Sequence, residues 1–133
     1  MSMKDINIGV CGKAELTVGD SSLAVNVGSG SLEVFATPMM VMLMERAACN
    51  CIADYLENGE TTVGTELCVK HTSATPIGMK VCAEAVVSAV NGRELVFNVT
   101  AYDESGSIGS GTHKRFLVYG EKFMAKALAK SNK

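Results

Sequence analysis

Apolar residues crowd the stretch 37–56, T-P-M-M-V-M-L-M-E-R-A-A-C-N-C-I-A-D-Y-L, and the polar ones that interrupt it recur with a helical period. At about 100° per residue, Arg46, Asn50, Asp54 and Glu57 share roughly one quadrant. Thr37 has the chemistry of an N-cap, and Pro38 suits the first helical position, where a missing N–H costs nothing. Gly59, just past Glu57 and Asn58, suits a stop. Glu45 lies about 100° or more from most of the wet quadrant, beside Val41, Met42, Ala48, Cys49 and Ile52. The pattern therefore predicts a helix wrapped on most sides, with one carboxylate turned into the wrapped part. Burying an ionised carboxylate is costly unless it is paired or useful. An ion pair with Arg46 or Lys114, a place at the helix margin, and a catalytic role all fit this stretch.

Elsewhere the period is two. Residues 6–18 lead into a strand in which Ala14, Leu16 and Val18 alternate with Lys13, Glu15 and Thr17. Gly19-Asp20-Ser21-Ser22 breaks it. Residues 23–27 read as a short extended piece, and Gly28-Ser29-Gly30-Ser31 as a flexible loop, either a lid or a plain connector. After Gly59, strands are expected over 61–75, 79–90, 94–102 and 107–119. Pro76-Ile77-Gly78 is a turn, with Pro76 keeping Thr75 out of the α region. Asn91-Gly92 predicts a hairpin with a type I′ turn, and Asp103-Glu104-Ser105-Gly106 another turn. Val81, Ala83, Ala85 and Val87 share one face, as do Leu95, Phe97, Val99 and Ala101. Gly109 and Gly111 inside the last strand signal a bulge or a close backbone approach. Residues 121–130 predict a short helix with Phe123, Ala127 and Leu128 on its apolar side.

A strand, a long helix and a four-strand meander joined mainly by tight turns describe an antiparallel α+β layer domain. A helix this apolar asks to be enwrapped by a curved sheet, the arrangement called the hot-dog fold. With 133 residues, 47% hydrophobic and 20% charged, residues 1–133 are expected to form one domain with a sizeable core. A net charge of −2 and the absence of Trp leave no footprint for nucleic acid. Five cysteines, Cys11, Cys49, Cys51, Cys68 and Cys82, match neither redox nor zinc spacing and read as small buried hydrophobes of a reducing cytosol. The N-terminus lacks a signal-peptide h-region, and Glu45, Arg46, Asn50 and Asp54 argue against a membrane span, so a cytoplasmic protein is expected.

Three stretches hold the polar groups that could do chemistry: V-F-A-T-P-M-M-V-M-L-M-E from Val34, V-G-T-E-L-C-V-K-H-T-S-A-T-P-I-G from Val63, and I-G-S-G-T-H-K-R-F from Ile108. Together they resemble the small hot-dog thioesterases related to fluoroacetyl-CoA thioesterase, over about residues 34–126. The resemblance implies a catalytic group of Thr37, Glu45 and His71, with Gly64 as a backbone contact near the substrate and Arg115 lining the site. It implies an acyl-CoA substrate, no metal or redox cofactor, and a homodimer or higher homo-oligomer paired sheet edge to sheet edge, which would also hide sticky edges.

The residue types suit the chemistry. Thioester hydrolysis needs a nucleophile or oriented water, a base, and donors for a developing oxyanion. Amides just after Thr37 could polarise the carbonyl at the helix N-terminus. Thr37 could attack or position water, and a hydroxyl needs an adjacent base to attack. Glu45 lies two turns on, about 12 Å along the axis, and His71 could be the base or orient the carboxylate. Each has a plainer alternative: Thr37 as a pure N-cap, His71 as an exposed strand histidine, Arg115 as a surface ion-pair partner. His113 reads as structural or solvent-facing, and the methionines at 39, 40, 42 and 44 as adaptable core with one or two lining an acyl pocket. Lys114, Lys122 and Lys126 are candidate partners for CoA phosphates.

Two departures bear on specificity. Residues 19–33 are rich in Gly and Ser and lack the longer aromatic lid of the fluoroacetate-specific enzyme, which favours a broader short-chain acyl-CoA specificity. Pro38 and Met39 replace the smaller or aromatic residues of the family's pocket lip. Besides hydrolysis, the same fold allows a non-catalytic acyl-CoA binding module, which would not require a base. It also allows a hydratase or dehydratase, whose Asp/His pair the motifs do not match.

Overall fold

The computed structural model describes residues 2–131. Strands β1 (Cys11–Thr17), β2 (Glu60–His71), β3 (Lys80–Asn91), β4 (Glu94–Asp103) and β5 (Gly106–Tyr119) form one antiparallel sheet in the order β1-β3-β4-β5-β2. Three helices accompany it among the described residues: α1 (Ala24–Val27), α2 (Thr37–Ile52) and α3 (Gly120–Leu128). The sheet curls around α2, which packs on β1, β2, β3 and β4. This is the α+β hot-dog arrangement the periodicities predict.

The core follows from those periodicities. Met40, Leu43, Met44, Ala47, Ala48, Cys51 and Ile52 are the buried positions of α2. They meet Val81, Ala83, Ala85 and Val87 of β3 and Leu95, Phe97, Val99 and Ala101 of β4, all buried. Each fully buried large side chain such as Leu43 contributes about 1.5–3 kcal/mol. Small residues set how closely the layers approach. A Cβ on Gly12 of β1 would lie 2.6 Å from the carbonyl oxygen of Ala47 and against the backbone of Cys51, so the helix rests directly on that strand.

The order of strands corrects the four-strand meander. Only β3, β4 and β5 form a meander, and β2 pairs with β5 at the far edge. Residues 72–79 are too engaged to make a hairpin between β2 and β3. The Thr75 carbonyl accepts the Phe35 N–H at 2.8 Å, and Pro76 forms a bridge with Val34. The β3–β4 turn also differs from expectation. Asn91 pairs with Glu94, so the loop is Gly92-Arg93, and only Gly92 has a positive φ, +63°. That is a type II′ pattern, since type I′ needs two positive φ values. Residues 23–27 are not extended: Leu23 bridges Phe35, and the chain then turns once as α1, ending at Gly28 with φ +83°.

The central helix is shorter than the apolar run. It stops at Ile52 and tightens into a 3-10 turn over Ala53–Tyr55 before the chain reverses at Gly59, φ +85°. The terminal helix forms, but Phe123, Met124 and Leu128 are 42%, 53% and 59% exposed, so its apolar side does not join the core. The cysteines are mixed: Cys51 is buried, whereas Cys11 and Cys68 are exposed, and none is paired. Burial raises the Cys51 thiol to about 11, as expected for a packing residue rather than a nucleophile. No helix among the described residues is long and apolar enough to cross a membrane.

The two glycines of β5 mark a close approach. A Cβ on Gly109 would lie 2.6 Å from the Lys70 carbonyl oxygen and 2.7 Å from Met40 Sδ, and one on Gly111 would press on Cys68 O and Val69 of β2. Gly111→Ala should therefore part the β2–β5 ladder and destabilise the protein by about 1–3 kcal/mol. Gly19→Ala, which enters open space at φ −132°, should stay within about 0.5 kcal/mol. Urea unfolding of both variants checks the pair, and equal stability would show that β2 accommodates the methyl.

Candidate active site

The start of α2 decides what Thr37 can do. Ala36, not Thr37, is the N-cap, with extended backbone (φ −75°, ψ 139°), and its carbonyl accepts the N–H groups of Met39 and Met40, each at 3.0 Å. Thr37 is the first helical residue and Pro38 follows within the first turn. The threonine hydroxyl is thus released from capping and lies 2.7 Å from His71 Nδ1. This also narrows the set of free amides. Pro38 has no N–H and that of Met39 is engaged, so the expected donors after Thr37 are absent. Among the described residues the N–H of Thr37 itself has no protein acceptor.

His71 closes β2, opposite Gly109 of β5. Immediately after it the chain bends, as Thr72 and Ser73 both donate their N–H groups to the Ile108 carbonyl, at 2.7 and 3.3 Å. Phe35, itself 1% exposed, meets the imidazole edge-on at a ring distance of 6.4 Å. Burial lowers the basicity of His71 below the ordinary histidine value, and the Ser73 backbone opposes this more weakly. Its Nε2 is buried without a hydrogen-bond partner among the described residues. A neutral imidazole against a free hydroxyl is a nucleophile–base geometry. A pocket of about 280 Å³ opens beside this pair, walled by Ala24, Ser29, Val34, Phe35 and residues 72–74. The Gly/Ser-rich loop and α1 therefore form one side of the pocket.

Glu45 lies two turns along α2 and belongs to a second cluster. Its Oε2 accepts a hydrogen bond from Arg115 Nη1 at 3.0 Å, while its side chain remains 37% exposed. Neither Arg46 nor Lys114 is its partner. Lys114 faces Glu66 at 3.8 Å. Arg115 is 6% exposed and is held on the inner face of β5: Nε donates to Thr62 Oγ1 at 2.9 Å and Nη2 to the Thr62 carbonyl at 3.0 Å. His113 is fully buried and stacked at 6.0 Å on Phe97, so it is not solvent-facing. Its Nδ1 meets the Glu66 carbonyl at 2.8 Å and its Nε2 meets Arg115 Nη1 at 3.2 Å. Gly64 pairs with Arg115 across the ladder at a bulge before Glu66. A Cβ there would stand 2.7 Å from Glu45 Oε2, so Gly64 makes room for the carboxylate.

The five expected residues thus fall into two groups, Thr37 with His71 and Glu45 with Arg115 and Gly64. Glu45 hydrogen-bonds neither Thr37 nor His71. Gly64 and His71 are seven positions apart on β2, about 23 Å at strand rise. Thr62 and His113 were not expected in the site. The signal for both is period two: His113 shares a face with Arg115 and buried Leu117, and Thr62 shares one with Gly64.

A long helix enclosed by a curled antiparallel sheet is the framework of the hot-dog thioesterases. A thioesterase superfamily member from Thermus thermophilus superposes with a TM-score of 0.90 at 27% identity, over 98% of this chain and 96% of that one. The fluoroacetyl-CoA thioesterase FlK superposes with a TM-score of 0.89 at 39% identity, over 94% and 97%. A fluoroacetyl-CoA thioesterase from Streptantibioticus cattleyicolor is 50% identical over 99 residues, 74% of this chain and 71% of that protein. The model of the family described as fluoroacetyl-CoA-specific thioesterase matches residues 18–121. The chain belongs to this family and is a thioesterase.

Burial holds both histidines below their ordinary value of 6.5. The unfolded chain then takes up protons first as the pH falls. The stability they contribute is complete above about pH 6.5 and is lost as the pH drops through the lower folded-state values. Urea midpoints should therefore fall between pH 7.5 and pH 5, and His113→Gln should flatten the slope. A midpoint that stays level over this range would contradict neutral burial.

Proposed function

We propose that the chain hydrolyses a short or small acyl-CoA thioester to the free acid and CoA. The observation that carries this reading is the 2.7 Å contact between the Thr37 hydroxyl and His71 Nδ1 beside a pocket of about 280 Å³. His71, kept neutral by burial, accepts the proton of the oxygen that attacks the thioester carbonyl, whether Thr37 Oγ1 or a water held by it. The carbon–sulfur bond breaks and the thiolate leaves, protonated by His71, as CoA; an acyl group carried by Thr37 Oγ1 is then released as the free acid by a water that His71 deprotonates. The free N–H of Thr37 is a donor for the oxyanion. The Glu45 oxygen not engaged by Arg115 orients water or supports the imidazolium. The absence of aromatics from residues 19–33 favours a range of small acyl groups over fluoroacetyl alone.

Glu45 and His71 act together in this reading through a homodimer. β2 is an edge strand whose inward residues Leu67 and Val69 are only partly covered. Antiparallel pairing of two β2 edges about Cys68 sets Val69 of one copy opposite Leu67 of the other and, across the irregularity between Gly64 and Glu66, brings His71 of one copy beside Gly64, and hence Glu45, of the other. Isologous pairing of this kind makes two equal sites. The five free cysteines suit a cytoplasmic protein.

Free-thiol release from acetyl- through hexanoyl-CoA, fluoroacetyl-CoA and a phenylacetyl-type thioester tests the reaction. Glu45→Gln and His71→Ala should each lower turnover by orders of magnitude with the fold intact. Near-normal hydrolysis by both would remove this site, and acyl-CoA binding without thiol release would make the chain a binding module. Unfolding and refolding the two inactive variants together should restore about a quarter of wild-type activity, since half the dimers would carry one intact site. No recovery from folded mixed dimers would place Glu45 and His71 of one chain in one site.

A further inference from the structure

Arg115 Nη1 is a branch point: it donates to Glu45 Oε2 at 3.0 Å and meets His113 Nε2 at 3.2 Å. A guanidinium Nη carries two N–H groups and can accept nothing, so Nε2 of His113 is the acceptor. The other ring nitrogen faces the Glu66 carbonyl at 2.8 Å, which can only accept, so Nδ1 carries the proton. One neutral tautomer alone satisfies both contacts. Stacking on Phe97 at 6.0 Å with rings 28° apart, and complete burial, fix the ring plane as well.

We propose that His113 is a positioning residue for hydrolysis: through its Nε2 it sets the direction of Arg115 Nη1 and hence the placement of the Glu45 carboxylate. The inference rests on the catalytic reading of Glu45 above. Thr62 fixes the other side of the guanidinium through Nε and Nη2. Without His113, one buried Nη1 N–H has no acceptor, so the planar guanidinium tilts as a unit to regain one and carries the carboxylate with it. Gly64 leaves the carboxylate little lateral support, because no side chain stands there. An error of about 1 Å in a reacting group can cost about a hundredfold in rate. His113 is completely buried and reaches the site only through Arg115, so the effect is expected in kcat.

The experiment compares kcat and KM for the best acyl-CoA in His113→Phe, His113→Gln, Glu45→Gln and the double variant Glu45→Gln/His113→Phe. His113→Phe keeps an aromatic ring on Phe97 and loses the acceptor. It should lower kcat about 10- to 100-fold with KM nearly unchanged. His113→Gln offers an amide oxygen to Arg115 and an amide N–H to Glu66, and should recover most of kcat. In the Glu45→Gln background, His113→Phe should change kcat by less than about twofold, because coupled residues are non-additive. Wild-type kcat in His113→Phe beside an impaired Glu45→Gln would overturn the role of His113 alone, as would an undiminished His113 effect in the Glu45→Gln background. Wild-type turnover in Glu45→Gln would overturn the catalytic carboxylate and this inference with it. If His113→Phe fails to fold, His113→Gln decides: a kcat loss as large as that of Glu45→Gln, with no recovery through its amide, overturns the proposal.

Discussion

A buried guanidinium is expensive unless nearly every N–H is spoken for, and that constraint shapes half of this molecule. Arg115 meets it by drawing on a strand neighbour, Thr62, a helix residue, Glu45, and a second buried base, His113. The carboxylate reached from α2 is therefore part of a polar cluster beside the apolar core. Gly64 and the bulge that follows it exist at the only place where β2 must let that side chain through. The helix and the outer edge of the sheet are bound by this polar knot as well as by the core.

Most of the fold was legible because it depends on period. The alternation in 79–90 and 94–102 places its buried residues correctly, and the 3.6-residue pattern of 37–56 its exposed quadrant, Arg46, Asn50, Asp54 and Glu57, whereas Val41, Met42 and Cys49 on the side of Glu45 are only half-buried. What failed depends on long-range partners. Pro76-Ile77-Gly78 looks like a hairpin turn, yet Phe35 and Val34 engage Thr75 and Pro76, and β2 lies at the opposite edge. The period places Phe123 and Leu128 on one side of α3, but it does not say what covers that side, and among the described residues both stay exposed. The hairpin type turned on one residue of register, which the dipeptide Asn91-Gly92 alone does not fix.

The site divides in the same way. Resemblance to a family brought forward Thr37, Glu45, His71, Gly64 and Arg115, while the residue chemistry by itself left each with a plain alternative. Of the two partners expected for Glu45, Arg46 and Lys114, the second is one residue off, because strand alternation turns Lys114 to Glu66 and Arg115 to Glu45. His113 and Thr62 were passed over although strand alternation turns both inward beside Arg115. A polar residue in phase with a buried face is a question about partners, and here the answer was a shared one.

Ala36 has no side-chain oxygen to offer the first turn of α2, and this residue is itself wholly buried. A Ser, Asp or Asn at that position would ordinarily strengthen a helix by about 1 kcal/mol. A capping side chain bonds the N–H of the second or third helical residue, and here Pro38 has none while that of Met39 is already taken by the Ala36 carbonyl. A polar group at 36 would thus be buried with little to bond, so sequences drawn toward greater robustness by optimising caps have nothing to gain at this position.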